Sequence, residues 1–171
     1  IDGDKVKSCI GCKSCSIMSG FGGAGAFSDG KYNITNDFGG TLYEHVGKQE
    51  AIDLLKYVDD INVSHGGAGT KLYSTATSEL KSVCLQHDLH LLEAKVRHLG
   101  TDRNVEILGR IYDYIKDRID MLFYTEAESV TRDGDGLFHV HTKDEEYVCK
   151  DLVLAPGRSG SKWISKVCDE F

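Results

Sequence analysis

Proline, tryptophan and long apolar runs are scarce in this sequence. Its 171 residues contain one proline and one tryptophan. A membrane-spanning helix needs roughly 20 consecutive apolar residues, and no run approaches that length. A signal peptide is not recognisable either, so these absences favour a soluble, cytoplasmic protein without a membrane partner.

Basic clusters are also lacking, and the formal net charge is −7 with histidine neutral. Because affinity for nucleic acid depends on lysines and arginines that neutralise phosphates, a nucleic-acid partner is not expected. The composition, 40% hydrophobic and 27% charged, is typical of a globular domain and not of a disordered chain. The length suffices for one domain or for a core with a small insertion.

Six cysteines are present, and three of them form the spacing Cys9-x2-Cys12-x2-Cys15. In a chain without a secretion signal, clustered cysteines indicate metal or redox chemistry more often than structural disulfides. Three interpretations stay open: a bound metal or cluster, thiol redox chemistry, or reduced thiols with neither role. The spacing matches the first three ligands of a ferredoxin-type iron–sulfur run, but the fourth cysteine at the required distance is missing.

Apolar periodicity predicts four helices and one half-buried strand in addition to the glycine-rich region. Helical spacing predicts a helix over residues 51–61, a short one capped by Ser78, one capped by Thr101 and one that begins near Ser159. Apolar and charged residues alternate strictly over residues 92–97, which predicts a strand with one buried face.

The last third of the chain predicts two kinds of sheet. The runs at residues 119–125 and 152–155 are apolar without alternation, as in neighbouring strands buried on both faces of a parallel sheet. Residues 127–149 predict an antiparallel flap that turns at Asp133-Gly134-Asp135-Gly136. This order of elements favours an α/β fold. Glycine breaks divide the chain into three expected segments: a Cys/Gly-rich part at 1–40, a lobe at 41–100 and a third part at 101–171.

The glycine-dense region contains Gly20-Phe21-Gly22-Gly23-Ala24-Gly25, which formally matches G-x-G-x-x-G. The dinucleotide-binding fingerprint requires a buried strand directly before the motif, and the residues before Gly20 are too polar to form one. The interleaved aromatic residues Phe21, Phe27 and Tyr32 nevertheless favour an ordered loop that faces a ligand over a linker.

A longer string is more specific than the glycine motif. Gly20-Phe21-Gly22-Gly23-Ala24-Gly25-Ala26-Phe27-Ser28-Asp29-Gly30-Lys31 closely resembles a segment of a bacterial family of largely uncharacterised FAD-dependent dehydrogenases within the glutathione-reductase-like flavoprotein superfamily. Two further stretches fit the same family in the same order: Val96-Arg97-His98-Leu99-Gly100-Thr101-Asp102 and Leu152-Val153-Leu154-Ala155-Pro156-Gly157-Arg158-Ser159-Gly160.

The resemblance implies an FAD-dependent oxidoreductase of unknown substrate that transfers hydride through its flavin, with NAD(P) open as the electron partner. It implies a partial FAD-binding, Rossmann-like sheet, with the antiparallel meander as a flap and residues 41–100 as an inserted α+β substrate lobe. Arg158 and the helix beginning near Ser159 would attract a phosphate, and Ala127 would offer backbone hydrogen bonds to the adenine. The expected cofactor-binding residues are Gly20, Gly22, Gly23, Ala24, Gly25, Ala26, Phe27, Ser28, Asp29, Gly30, Lys31, Ala127, Ala155, Pro156, Gly157 and Arg158.

Departures from the family limit this expectation. The family opens with a strand and a glycine turn for the pyrophosphate, which does not precede Ile1, and its closing segment does not follow Phe171. We therefore expect an internal fragment that holds FAD weakly or not at all and is inactive alone. The catalytic residues are not assigned.

Functions of another class stay open. One is a metal or iron–sulfur module that uses Cys9, Cys12 and Cys15, and another is a folded remnant without activity. His139 and His141 share one face of a predicted strand and could bind zinc, but exposed histidines without metal are the favoured interpretation.

Overall fold

The computed structural model describes residues 11, 15 and 17–171. The chain divides into two compact units, and each has its own small sheet. One unit is Ala24–Arg118, which we call the central unit, and the other combines Ile1–Gly23 with Ile119–Phe171, which we call the terminal unit.

The central unit combines an antiparallel three-stranded sheet with helices. Its sheet has the order β1-β3-β2, in which Tyr32 lies opposite Arg97, and Tyr73 opposite Val96. A 3-10 helix lies at Gly23–Phe27, and an irregular turn at Val63–Gly67, with non-helical backbone at His65 and Gly66, follows α2. The strands are β1 (Lys31–Asn33), β2 (Leu72–Ser74) and β3 (Lys95–His98), and the helices are α1 (Leu42–Val46), α2 (Lys48–Asn62), α3 (Leu80–Gln86) and α4 (Thr101–Ile115).

A mostly buried ion pair joins α2 to β3 in this unit. The guanidinium of Arg97 donates from Nε and Nη2 to the two carboxylate oxygens of Asp59, at 2.5 and 2.8 Å. Its Nη1 donates to the carbonyl oxygen of Thr70 at 2.9 Å. The two charged side chains are 13% and 8% exposed, so this fork-shaped pairing satisfies charges that would otherwise be buried unpaired.

The predicted helices of the central unit are confirmed, with shifts at their starts. Helix α2 covers the predicted 51–61 segment, and Ala51 on it is fully buried. Thr101 is not the cap of α4, because Gly100 takes that position with a φ of 79° and no side chain caps the helix. Glu79 takes the cap position of α3, although the Ser78 hydroxyl still accepts the N–H of Leu80 at 3.3 Å.

The terminal unit contains the antiparallel meander that the sequence predicts for residues 127–149. Its sheet has the order β4-β5-β6, and the turn at Asp133 is as predicted: Oδ1 of this residue accepts the N–H groups of Asp135 and Leu137. Helix α5 packs on this sheet through the indole of Trp163, which donates to the carbonyl oxygen of Glu128 at 2.8 Å. The elements are β4 (Ala127–Arg132), β5 (Phe138–Thr142), β6 (Glu146–Cys149) and α5 (Ser161–Glu170).

The predicted pair of parallel strands is wrong for this structure. Residues 119–125 and 152–155 form no strand, and both sheets within the described residues are antiparallel. An apolar run becomes a doubly buried strand only where neighbours pair with it and cover both faces. Here Val153 is 89% exposed and the Tyr124 side chain is fully exposed. The mixed helix and strand content stands, and the Rossmann-like sheet is not among the described elements.

The described helices include none that is long and apolar enough to cross a bilayer. The division into segments 1–40, 41–100 and 101–171 stays a prediction.

Candidate functional site

The anchored loop, residues 24–31, is held in the central unit by the side chain of Asn104. This asparagine is fully buried on α4. Its Nδ2 donates to the carbonyl oxygens of Gly25 at 2.6 Å and Ala26 at 3.2 Å. Its Oδ1 accepts the hydroxyl proton of Tyr32 at 2.7 Å. All the hydrogen-bonding groups of one buried amide therefore serve to fix this loop and the strand that follows it.

Backbone contacts join the end of the loop to the segment before α4. The N–H of Leu99 donates to the carbonyl oxygen of Gly30 at 2.9 Å, and the N–H of Gly100 donates to that of Asp29 at 3.1 Å. Two of the three stretches that carry the flavoprotein resemblance, residues 20–31 and 96–102, therefore meet directly. Sequence spacing alone gave no sign of this contact.

Gly30 is required at this junction for two reasons. Its φ is 63°, which side-chain-bearing residues rarely adopt. A Cβ there would lie 3.0 Å from the carbonyl oxygen of Gly100 and 3.1 Å from Cβ of Asn104. The glycine thus permits the close approach of the loop to the start of α4.

The interior of the loop is tied by short-range bonds. The Ser28 hydroxyl donates to the carbonyl oxygen of Gly25 at 2.9 Å and accepts the N–H of Gly30 at 3.3 Å. Asp29 and Lys31 form an ion pair at 2.6 Å, and the hydrogen bond from Lys31 lowers the pKa of the Asp29 carboxyl. Phe27 is 58% exposed, so its ring offers apolar surface to another molecule.

Gly20, Gly23 and Gly25 of the motif have open surroundings. Gly20, Gly22 and Gly23, in the terminal unit, have φ values of 91°, 82° and 53°. Gly20, Gly23 and Gly25 would each carry a Cβ with no heavy atom within 4 Å. Packing within the chain therefore does not explain the missing side chains at these three positions, and the backbone there is open to close approach by a ligand.

The third resemblance stretch forms a tight turn in the terminal unit before α5. Gly157 has a φ of 65°, and a Cβ on Gly160 would lie 2.3 Å from Cβ of Pro156. The helix begins at Ser161 and not near Ser159, because the Arg158 carbonyl accepts the N–H of Ser161 in the turn. Arg158 is exposed, and Ala127 is half-buried at an irregular pairing in β4. Ala155 is exposed in the segment that leads into this turn.

Of the cysteine cluster, only Cys15 lies within the described residues, and it is exposed. Cys9 and Cys12 lie outside them, so the metal or cluster assignment stays a prediction. No group of three or more histidine, cysteine or acidic residues in the described part of the chain is arranged to hold a metal ion.

The meander carries a histidine–carboxylate cluster. The sequence predicts that its two histidines share a face, but it does not predict their acidic partners. His139 bridges two carboxylates, with Nε2 3.0 Å from Asp133 and Nδ1 2.5 Å from Glu146. The hydrogen bonds to Asp133 and then to Glu146 raise the pKa of His139, and the same bonds lower the pKa of both acids. His141 lies 3.5 Å from Glu146. The alternation of β5 predicts that the two histidines share a face, but the acidic partners require the register of β5 with β6.

Comparison of the chain with protein-family models, with curated proteins and with solved structures finds no match in any of the three. The flavoprotein resemblance therefore rests on the three motif stretches themselves.

Proposed function

We propose that this chain supplies the flavin-facing part of a cytoplasmic FAD-dependent oxidoreductase whose substrate and electron partner are unassigned. The observation that carries the proposal is the direct contact between two motif stretches, residues 20–31 and 96–102, through the backbone hydrogen bonds from Leu99 to Gly30 and from Gly100 to Asp29. Stretches that resemble one family in order along the sequence would be expected to build one site in space.

The arrangement of the anchored loop supports a ligand on its open side. The carbonyl oxygens of Gly25 and Ala26 are occupied by the buried Asn104 amide. The space beside the Cα of Gly25 is empty of protein atoms. The loop is thus held by hydrogen bonds on one side, and its backbone is open to a planar or phosphate-bearing molecule on the other. Because the loop need not change conformation when such a molecule binds, the entropic cost of binding is lower.

The residues of the terminal unit fit the charged part of a dinucleotide. Arg158 is exposed and makes no ion pair with any described residue. Helix α5 begins three residues later, and the N–H groups of Lys162 and Trp163 in its first turn lack partners within the helix, while that of Ser161 donates to the Arg158 carbonyl oxygen. A guanidinium and helix N–H groups are donors that a pyrophosphate accepts. When bound, FAD would supply the hydride acceptor and donor, and these residues would hold and orient it.

Titration of the purified chain with FAD, followed by quenching of flavin fluorescence, tests this proposal. We expect weak but saturable binding, which Gly25→Val weakens about tenfold by crowding the open side of the loop. The matched control is Gly109→Val, because Gly109 on α4 is also free of close neighbours and does not lie in the loop.

Equal loss of binding in both variants would contradict the role of the loop. Absence of saturable quenching up to about 1 mM FAD in the unmodified chain, an affinity limit near 4 kcal/mol, would contradict the proposed function.

A further inference from the structure

A cleft in the central unit lies apart from the anchored loop. Its volume is about 640 Å³, within the range typical of small-molecule sites. One wall is a face of α2, on which Lys48, Ile52 and Lys56 recur every fourth residue and so point the same way. The opposite wall carries Ser74 and Lys95, which face each other across β2 and β3. We call this site the lysine cleft.

Hydrogen bonds from the loop at residues 35–37 fix the two walls. The Thr35 hydroxyl donates to the carbonyl oxygen of Glu93 at 2.7 Å, and the N–H of Glu93 donates to the Asp37 carboxylate at 2.9 Å. The side-chain amide of Asn36 donates to the carbonyl oxygen of Lys48 at 2.9 Å. Three consecutive residues thus tie the β3 side to the start of α2, and the cleft is preformed.

The carboxylates that line the cleft already have donors. Asp37 accepts the backbone N–H of Glu93, and the Glu93 side chain pairs at 3.0 Å with Lys81, which does not line the cleft. Lys56 pairs with Asp53 on its own helix at 2.9 Å. These charged side chains therefore already have hydrogen-bond or ion-pair partners in the absence of a ligand.

Two lysines of the lysine cleft have no acidic partner among the described residues. Lys48 and Lys95 are exposed and make no ion pair with any residue that the structure describes. They stand on opposite walls, so a ligand between the walls meets positive charge from both sides. An anionic group would gain two charge-assisted hydrogen bonds there.

Apolar surface lies between these lysines. Ile34 forms the buried floor, Ile52 is half-buried, and Leu92 on the wall is 46% exposed. Removing such surface from water would favour a ligand with an apolar body in addition to its charge. The acidic side chains of Asp37 and Glu93 in the same cleft oppose a multiply charged phosphate, because like charges at close range repel.

We propose that the lysine cleft binds a small monocarboxylate with an apolar body, whose carboxylate is held by Lys48 and Lys95. This site does not involve the anchored loop, so it does not depend on the flavin proposal.

Phenylacetate is a suitable probe, and titration of the isotope-labelled chain followed by backbone amide NMR shifts measures its dissociation constant without any flavin. We expect saturable shifts concentrated at residues 34–37, 48–56 and 92–95. The neutral isostere phenylacetamide and the amine phenethylamine should each bind at least about tenfold more weakly, which corresponds to the loss of a charge-assisted hydrogen bond.

Single substitutions assign the site. Lys48→Gln and Lys95→Gln should each weaken phenylacetate binding about tenfold, while Lys48→Arg keeps it within about threefold. Lys71→Gln is the matched control, since Lys71 belongs to the same unit and does not line the cleft. All three lysine positions are exposed, so the amide spectrum should report an intact fold in each of the four variants.

Three outcomes would overturn the proposal: phenylacetamide binding as tightly as phenylacetate, both glutamine variants behaving like Lys71→Gln, or no saturable shift at all. Inorganic phosphate that displaces phenylacetate at equal concentration would also overturn it, because the cleft would then recognise charge without the apolar body.

Discussion

The side-chain amide of Asn104 donates a hydrogen bond of 2.6 Å to the carbonyl oxygen of Gly25, a residue 79 positions away in the sequence. This bond joins the first turns of α4 to a loop that has few other long-range supports. It explains why a polar residue is fully buried on α4 beside the apolar side chain of Ile107.

Asn104→Ala should destabilise the chain by about 2–3 kcal/mol, because it leaves the carbonyl oxygen of Gly25 and the Tyr32 hydroxyl without their buried partner. Urea denaturation followed by circular dichroism measures the change in the free energy of unfolding. Asn36→Ala provides the comparison, since Asn36 is less buried and its side-chain amide donates one hydrogen bond, to the carbonyl oxygen of Lys48. Equal losses in the two variants would show that Asn104 has no special anchoring role.

Gly30→Ala should cost about 2 kcal/mol of stability, because the new Cβ meets the Gly100 carbonyl at 3.0 Å and the φ of 63° strains any side chain. Gly109→Ala should have the opposite sign and stabilise by about 0.5–1 kcal/mol, since Gly109 lies inside α4 with open space around it. Thermal unfolding of the two variants provides the check. A neutral Gly30→Ala would mean that the loop can move away from α4 without loss.

Removal of one partner of the Arg97–Asp59 pair should destabilise the central unit by about 3 kcal/mol, because the remaining charge stays mostly buried. Arg97→Leu and Asp59→Leu test each side, and the double variant should recover part of the loss. Strict additivity of the two single effects in denaturant unfolding would exclude a coupled pair.

The histidine cluster predicts a pH dependence of the terminal unit with two limbs. The pKa of His139 is raised in the folded chain, so its contribution is present below the ordinary histidine pKa of about 6.5 and is lost as the pH rises through the raised value. The pKa values of Asp133 and Glu146 are lowered, so their contributions are present above the ordinary carboxyl pKa and are lost as the pH falls.

Replacement of His139 by Gln should therefore flatten the alkaline limb in a series of melting temperatures against pH. His87→Gln is the control, because His87 follows α3 as its C-cap and pairs with no carboxylate among the described residues. An alkaline limb of unchanged steepness in the His139 variant would assign the effect to other groups.

Local patterns predicted most of the elements but not the arrangement of the candidate site. The period of α2, the alternation of β5 and the Asp133 turn are set by neighbouring residues, so the sequence reveals them. The contact of Gly30 with Leu99 and Gly100, and the pairing of Lys95 with Ser74, depend on long-range packing that no spacing encodes. The strand prediction for the apolar run around Val153 is wrong for the same reason. Burial of a strand requires partner strands that its own residues do not specify.

The purified 171-residue chain should be colourless as isolated. Tight pyrophosphate binding in dinucleotide folds relies on a glycine turn between a buried strand and a helix N-terminus. In this chain the described residues directly before Gly20 form a turn, and the fingerprint lacks a strand in that context. Without such a turn, the anchored loop should hold FAD too weakly for it to survive purification. A visible absorption spectrum distinguishes the outcomes, since bound flavin gives two separate bands and an iron–sulfur cluster gives broad absorption. A stoichiometric flavin spectrum would show that the missing turn is not needed. A broad cluster spectrum that Cys15→Ser abolishes would instead favour the alternative in which Cys9, Cys12 and Cys15 bind a metal cluster.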